Sequence, residues 1–164
     1  MASIKDRFLF PKLRKLTSQF EQLGAPNAES WAKSQLREGF DQISRATLLR
    51  FFADKTVENG KVPQYFRDAE SVTAHVKNAV DQIDKAGLTD EVETVLKLAL
   101  FNAMSDVMVV LDGNAAIENN PEDIEIGLYK LDSEFSPETQ IVALHESWSE
   151  FAAEFLGKDV IKHY

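Results

Sequence analysis

Three segments between Val107 and Phe151 decide the fold: 107-VMVVLDG-113, 124-IEIGLYKL-131 and 136-SPETQIVALHESWSEF-151. The first is the end of an apolar helix, stopped at Asp112-Gly113. In the second, Ile124, Ile126 and Leu128 alternate with Glu125, Gly127 and Tyr129, the two-residue period of a half-buried strand. The third opens with Ser136-Pro137-Glu138, a cap, a first-turn proline and an acid, which predicts a helix start. Its inner stripe is Ile141, Leu144, Trp148, Phe151, Ala152 and Phe155, and Gly157 ends it.

Upstream of this stretch the dominant period is helical. Leu9, Leu13, Leu16, Phe20 and Leu23 make a stripe that Gly24 and Pro26 close. This helix starts either after Ser3 or near Phe10, and in the former case Pro11 falls inside it. A second helix is expected from Asn27 toward Asp54, with Gly39 marking a kink or a close crossing. The segment 56–67 has turn chemistry, with a tiny hairpin from Val57 to Val62 around Asn59-Gly60. A third helix runs from Asp68 to Gly87 on the stripe Val72, Val76, Ala79, Val80 and Ile83. A fourth begins at Thr89 or Asp90 and reaches Leu111. It has the broadest apolar surface of the chain and is expected at the centre of the fold.

The expected fold class is mainly α: a five-helix bundle with one short β-strand or hairpin inserted before the last helix. One domain spans 1–164, divided into a four-helix core (1–112), a β insert (113–135) and a C-terminal helix (136–157). A single strand is not stable alone. Its candidate partners are Ala115–Glu118, or the same strand of a second copy in a homodimer.

Composition narrows function. The 164 residues carry no cysteine, which removes disulfides, thiolate nucleophiles and cysteine-based zinc sites. No apolar run approaches the roughly 20 residues of a membrane span, and the N-terminus lacks a signal peptide's uninterrupted apolar stretch, so a cytoplasmic location off the membrane is expected. The net charge of −9 is unevenly spread. Residues 1–55 hold ten Lys/Arg against six Asp/Glu, and residues 112–164 hold three against twelve. Between Asp112 and Leu156 the only cation is Lys130. Such a surface suits a basic protein partner and disfavours nucleic acid, whose phosphates need cations.

Catalytic and cofactor signatures are missing. There is no GxGxxG, no GxxxxGK[ST], no GxSxG, no HExxH and no ExxH. No cofactor or metal is expected. His145 and Glu146 are helix neighbours pointing about 100° apart, too divergent to share a ligand. His75 and His145 each lie beside an apolar helical stripe, where a packed or hydrogen-bonded role is the commoner one. An enzyme would need one of them to meet a carboxylate in a shared pocket. Asp112-Gly113-Asn114 has turn chemistry but no ladder of calcium ligands after it. The candidate binding residues are therefore acidic: Glu122, Asp123 and Glu125 at the strand, and Glu146, Glu150 and Glu154 one turn apart on the outer face of the last helix. Like charges at that spacing repel weakly, a cost that a basic partner relieves. Tyr129 joins them, because it lies on the strand face opposite Ile124, Ile126 and Leu128.

Leu111-Asp112-Gly113, the strand 124–131 and Leu144-His145-Glu146-Ser147-Trp148 together resemble a pattern in small bacterial proteins of the toxin-immunity kind. The resemblance covers only this C-terminal stretch and carries over no residue roles. It implies a protein that neutralises a basic effector domain. The function expected is thus a non-enzymatic acidic binding protein. The alternatives are an enzyme with a dispersed His/carboxylate site and an oligomeric structural or adaptor protein.

Overall fold

The structure is a computed structural model; it describes residues 4–61, 66, 70, 72–113, 127–157 and 160–161, with side chains from Phe10 onward. Among these residues the order is α1 (Ile4–Gln22), α2 (Ala28–Glu38), α3 (Gln42–Asn59), α4 (Ala74–Ala86), α5 (Thr89–Leu111), β1 (Leu128–Leu131), β2 (Pro137–Ile141) and α6 (Leu144–Leu156). The protein is mainly α, with an antiparallel hairpin before the last helix.

α1 takes the early start and holds Pro11 within it. It ends where glycine permits a reversal. Gly24 adopts φ 71°, its N–H donates to the Glu21 carbonyl, and the Ala25 N–H reaches back to the Phe20 carbonyl at 2.9 Å. This is a Schellman ending, which satisfies carbonyls the helix leaves open. A Cβ at Gly24 would also sit 2.7 Å from Phe155 Cζ, so α1 turns in direct contact with α6. Gly87 closes α4 by the same bond pattern.

The single helix expected from Asn27 to Asp54 is two helices. Gly39 terminates α2 at φ 75°, and Asp41 caps α3, its carboxylate accepting from the Ser44 N–H at 3.0 Å and the Ser44 hydroxyl at 2.8 Å. Gln35 Oε1 accepts from the Ile43 N–H across the corner. Gly39 permits the reversal, and the Asp41/Ser44 cap then starts a new helix more cheaply than a kink could continue the old one. α3 then continues to Asn59, so Val57 is helical and the hairpin expected from it does not form. α4 begins at Ala74, later than Asp68, which lies outside the described residues.

The second correction concerns Ser136-Pro137-Glu138. Pro137–Ile141 is a strand, paired with β1 in the register Leu128↔Ile141, Tyr129↔Gln140 and Lys130↔Thr139. Proline is tolerated as the first residue of an edge strand, where no ladder donor is needed. Thr139 and Ile141 are half-buried while Glu138 and Gln140 are exposed, a period of two that outweighs the helix-start signal. β1 therefore has its partner within the chain. Ala115–Glu118, the other candidate, lies outside the described residues, as do 124–126 of the expected strand.

The third correction is the centre of the molecule. It is α6, which buries Leu144, Trp148, Phe151, Ala152, Ala153 and Leu156. These pack with Phe20 of α1, Ala32 of α2, Ala46, Leu49 and Ala53 of α3, and Met108 of α5. Aromatic rings link the layers. Phe20 lies 5.8 Å from Trp31, Trp31 meets Phe151 edge-on at 6.1 Å, and Trp148 stacks on Phe101 at 5.6 Å. Trp148 Nε1 also donates to the Phe101 carbonyl at 3.1 Å, satisfying the one polar atom of a buried indole. By contrast α5, expected at the centre, buries only Met108. It is 23 residues long, and its most apolar window has a mean hydropathy of 1.7. Contrary to the expectation from the sequence, it is long and apolar enough to cross a membrane by length and averaged composition, with Lys97 and Asp106 the charges along its apolar stretch.

Candidate binding face and the tie beneath it

The acidic residues singled out from the sequence fall into separate places. Glu122, Asp123 and Glu125 lie outside the described residues. Tyr129 is on β1 and 48% exposed. Glu146, Glu150 and Glu154 are all exposed along the outer face of α6, but they do not act together. Glu150 and Glu154 line an open cleft of about 630 Å³ with Glu21, Gly24, Ala25, Pro26 and Asn27. Glu146 lines a second cleft of about 270 Å³ on the other side, with Phe40, Asp41, Arg45 and Gln140 among its neighbours.

The first cleft is built by the Schellman turn after α1. That turn brings Gly24, Ala25 and Pro26 to the cleft beside the carboxylates of Glu21, Glu150 and Glu154. Asn27 Nδ2 donates to Glu150 Oε1 at 3.2 Å and positions it. Glu21 and Asn27 were not legible as partners of α6, since well over a hundred residues separate them from it in the chain. Arg50 lies behind this turn, its guanidinium 4.5 Å over the Phe155 ring and bonded to Asp54 at 2.8 Å. Part of its charge is thereby neutralised by Asp54.

Lys130, the single cation between Asp112 and Leu156, is engaged within the molecule. Its Nζ lies 3.0 Å from Glu138 and 3.7 Å from Asp41. The hydrogen bond to Glu138, then the charges of Glu138 and Asp41, hold its pKa above the usual lysine value. It pins β1 to the corner before α3.

Beneath this surface lies a tie that spacing alone did not reveal. Asp112 follows the end of α5, and its side chain is only 1% exposed. Its Oδ2 accepts from the His145 N–H at 2.8 Å and lies 2.6 Å from His145 Nδ1. The residue before α6, Ala143, is left-handed at φ 61° and offers no capping side chain. Asp112 supplies the cap from another helix, its negative charge at the positive end of α6. It turns inward to do so, which removes it from a calcium loop. Arg45 of α3 completes the cluster: its Nη2 donates to the Ala143 carbonyl and the Ser147 hydroxyl, and its plane sits 5.2 Å over Trp31. Burial holds the Arg45 pKa below its usual value, against the opposing pull of Glu146 and Asp112. Arg45 Nε and Asp112 Oδ1 are buried without hydrogen-bond partners among the described residues.

Chemically the cluster holds one oriented imidazole, His145, 29% exposed. His75 is exposed on α4. Among the described residues no three His, Asp or Glu side chains come together as a metal site. Comparison of the chain with protein-family models, curated proteins and solved structures finds no match.

Proposed function

We propose that this chain is a non-enzymatic binding protein whose acidic face takes a basic protein partner, and that neutralisation of a basic toxin domain is its biological form. One arrangement carries the reading. Glu21, Glu150 and Glu154 open onto a shared cleft, while Lys130, the single Lys or Arg between Asp112 and Leu156, is engaged by Glu138 and Asp41. Three carboxylates on one open cleft suit the charged head of an arginine or lysine. Carboxylate pairs held at one spacing steer a basic surface and discriminate against acidic ones.

The test compares the wild-type chain with a Glu21→Lys/Glu150→Lys/Glu154→Lys variant, each immobilised and exposed to extract from the organism that encodes it. The wild type should retain basic proteins that elute at raised salt, and the variant should lose them. Retention of the same proteins by both would overturn the reading.

The His145–Asp112 pair favours a second reading, an enzyme using His145 with its buried carboxylate. A carboxylate that orients an imidazole is a common device of general acid–base sites. If His145→Asn lowers stability and leaves partner retention unchanged, the pair is an anchor for α6 and this reading falls.

A further inference from the structure

The most exposed large apolar residue among those described is Phe135, 83% exposed at the tip of the β1–β2 hairpin. The tip is rigidly built. The Phe135 N–H donates to the Asp132 carbonyl at 3.2 Å, and the Asp132 N–H to the Ser136 carbonyl at 3.0 Å. Asp132 Oδ1 accepts from the N–H groups of Glu134 at 2.8 Å and Ser136 at 2.9 Å. This is the three-residue hairpin loop whose last position is left-handed, the place where glycine is the usual choice. Phe135 occupies that position at φ 62°. A bulky side chain there is strained, and here its ring gains no burial in return. The loop would be more stable with glycine or asparagine.

Strain held at a position that does nothing for the fold points to a role outside it. We infer that Phe135 is an anchor residue, inserting its ring into an apolar pocket on a partner protein. Tyr129 and Leu131 are exposed on the same hairpin and extend the apolar contact. The surrounding charges define the partner's rim. Asp132 and Glu134 are exposed at the same tip, and the nearest lysine in sequence, Lys130, is paired with Glu138. The matching surface is an apolar pocket rimmed by arginine or lysine. A rigid aromatic centre with a polar ring around it is the usual anatomy of an energetic centre in an interface. The inference rests on the hairpin alone and stands even if the α6 cleft is unused.

The experiment has two arms. Phe135→Gly and Phe135→Asn should both raise the melting temperature, by about 2–4 °C for a chain of this size. A fall in either would mean that Phe135 serves the fold, and would overturn the inference. In the second arm, a photoreactive benzoylphenylalanine replaces Phe135 and is activated in cells of the encoding organism. The cross-linked protein is then purified and its affinity measured by calorimetry. Phe135→Gly should weaken binding at least tenfold, and Glu134→Lys should weaken it in a salt-dependent way. No adduct, an adduct with lipid or with a second copy, or an affinity unchanged by Phe135→Gly would each overturn it. The triple α6 variant, run beside them, shows separately whether the acidic cleft contributes.

Discussion

α5 and α6 have opposite fates that their composition does not foretell. α5 is the longest and most apolar helix described, yet it buries a single residue, and Val95 on its outer side is 66% exposed. α6 is little more than half as long, carries three glutamates, and supplies the core with six buried residues. The difference lies in how apolar residues are arranged. In α6 they fall on one stripe, with charges opposite, so one orientation is strongly preferred. In α5 they surround the axis, so no orientation is much better than another and the helix packs through its C-terminal half, by Phe101, Met104, Met108 and the Asp112 cap. Hydrophobic content states how much surface wants covering, and only the stripe states where the cover is.

The sharpest way to break this comparison is by truncation. Trp148→Ala removes a fully buried indole with its hydrogen bond and stacking partner, and should cost about 3–5 kcal/mol in urea denaturation. Leu98→Ala, on the exposed side of α5, should stay within about 0.5 kcal/mol. A Leu98→Ala loss comparable to that of Trp148→Ala would mean that α5 is covered in solution.

A smaller effect sharpens the link between the two helices. Asp112→Ala deprives α6 of its cap and leaves His145 and Arg45 without the carboxylate, and should cost about 2 kcal/mol. Asp112→Asn keeps an acceptor for the His145 N–H but loses the charge, and should cost less. Hydrogen exchange at the first turn of α6 should accelerate in both, and unchanged exchange would refute the capping role.

The smallest effect concerns the hairpin. The Lys130 pKa is raised in the folded protein, so its stabilisation is complete below the unfolded value of 10.5 and is lost as pH rises through the folded one. Lys130→Gln should therefore lower the melting temperature slightly at neutral pH, where the stabilisation is fully present. Above about pH 10.5 that difference between wild type and variant should shrink, as the wild type loses the contribution the variant never had. The group is solvent-exposed, so the slope should be shallow and weaker still in salt.

Local signals were legible wherever the chain pays a local cost. Gly24, Gly87 and Gly157 end helices as their positions suggest, and the described end of the expected strand, from Leu128 to Leu131, is a strand. Misreadings arose where two local rules competed. Pro137 serves a first helical turn and an edge strand equally well, and the Thr139/Ile141 alternation tipped it to strand. Gly39 served a kink and a terminus, and the Asp41 cap decided for the terminus. The acidic character of the last third was plain from counting, but its division into two clefts was not, since Glu21 and Asn27 belong to α1 and the turn that follows it.

The sequence by itself determined the mainly helical class, several helix ends, a β element before the last helix and the placement of charge. Each of these depends on residues within a turn or two of one another, where propensity, capping and periodicity operate. Tertiary structure decided which helix became the core, what capped α6, where Lys130 spent its charge and which carboxylates share a cleft. Those outcomes depend on pairs such as Asp112 with His145, or Asn27 with Glu150, 33 and 123 residues apart. Their meeting follows from how whole faces pack, a choice among long-range arrangements that no local pattern encodes.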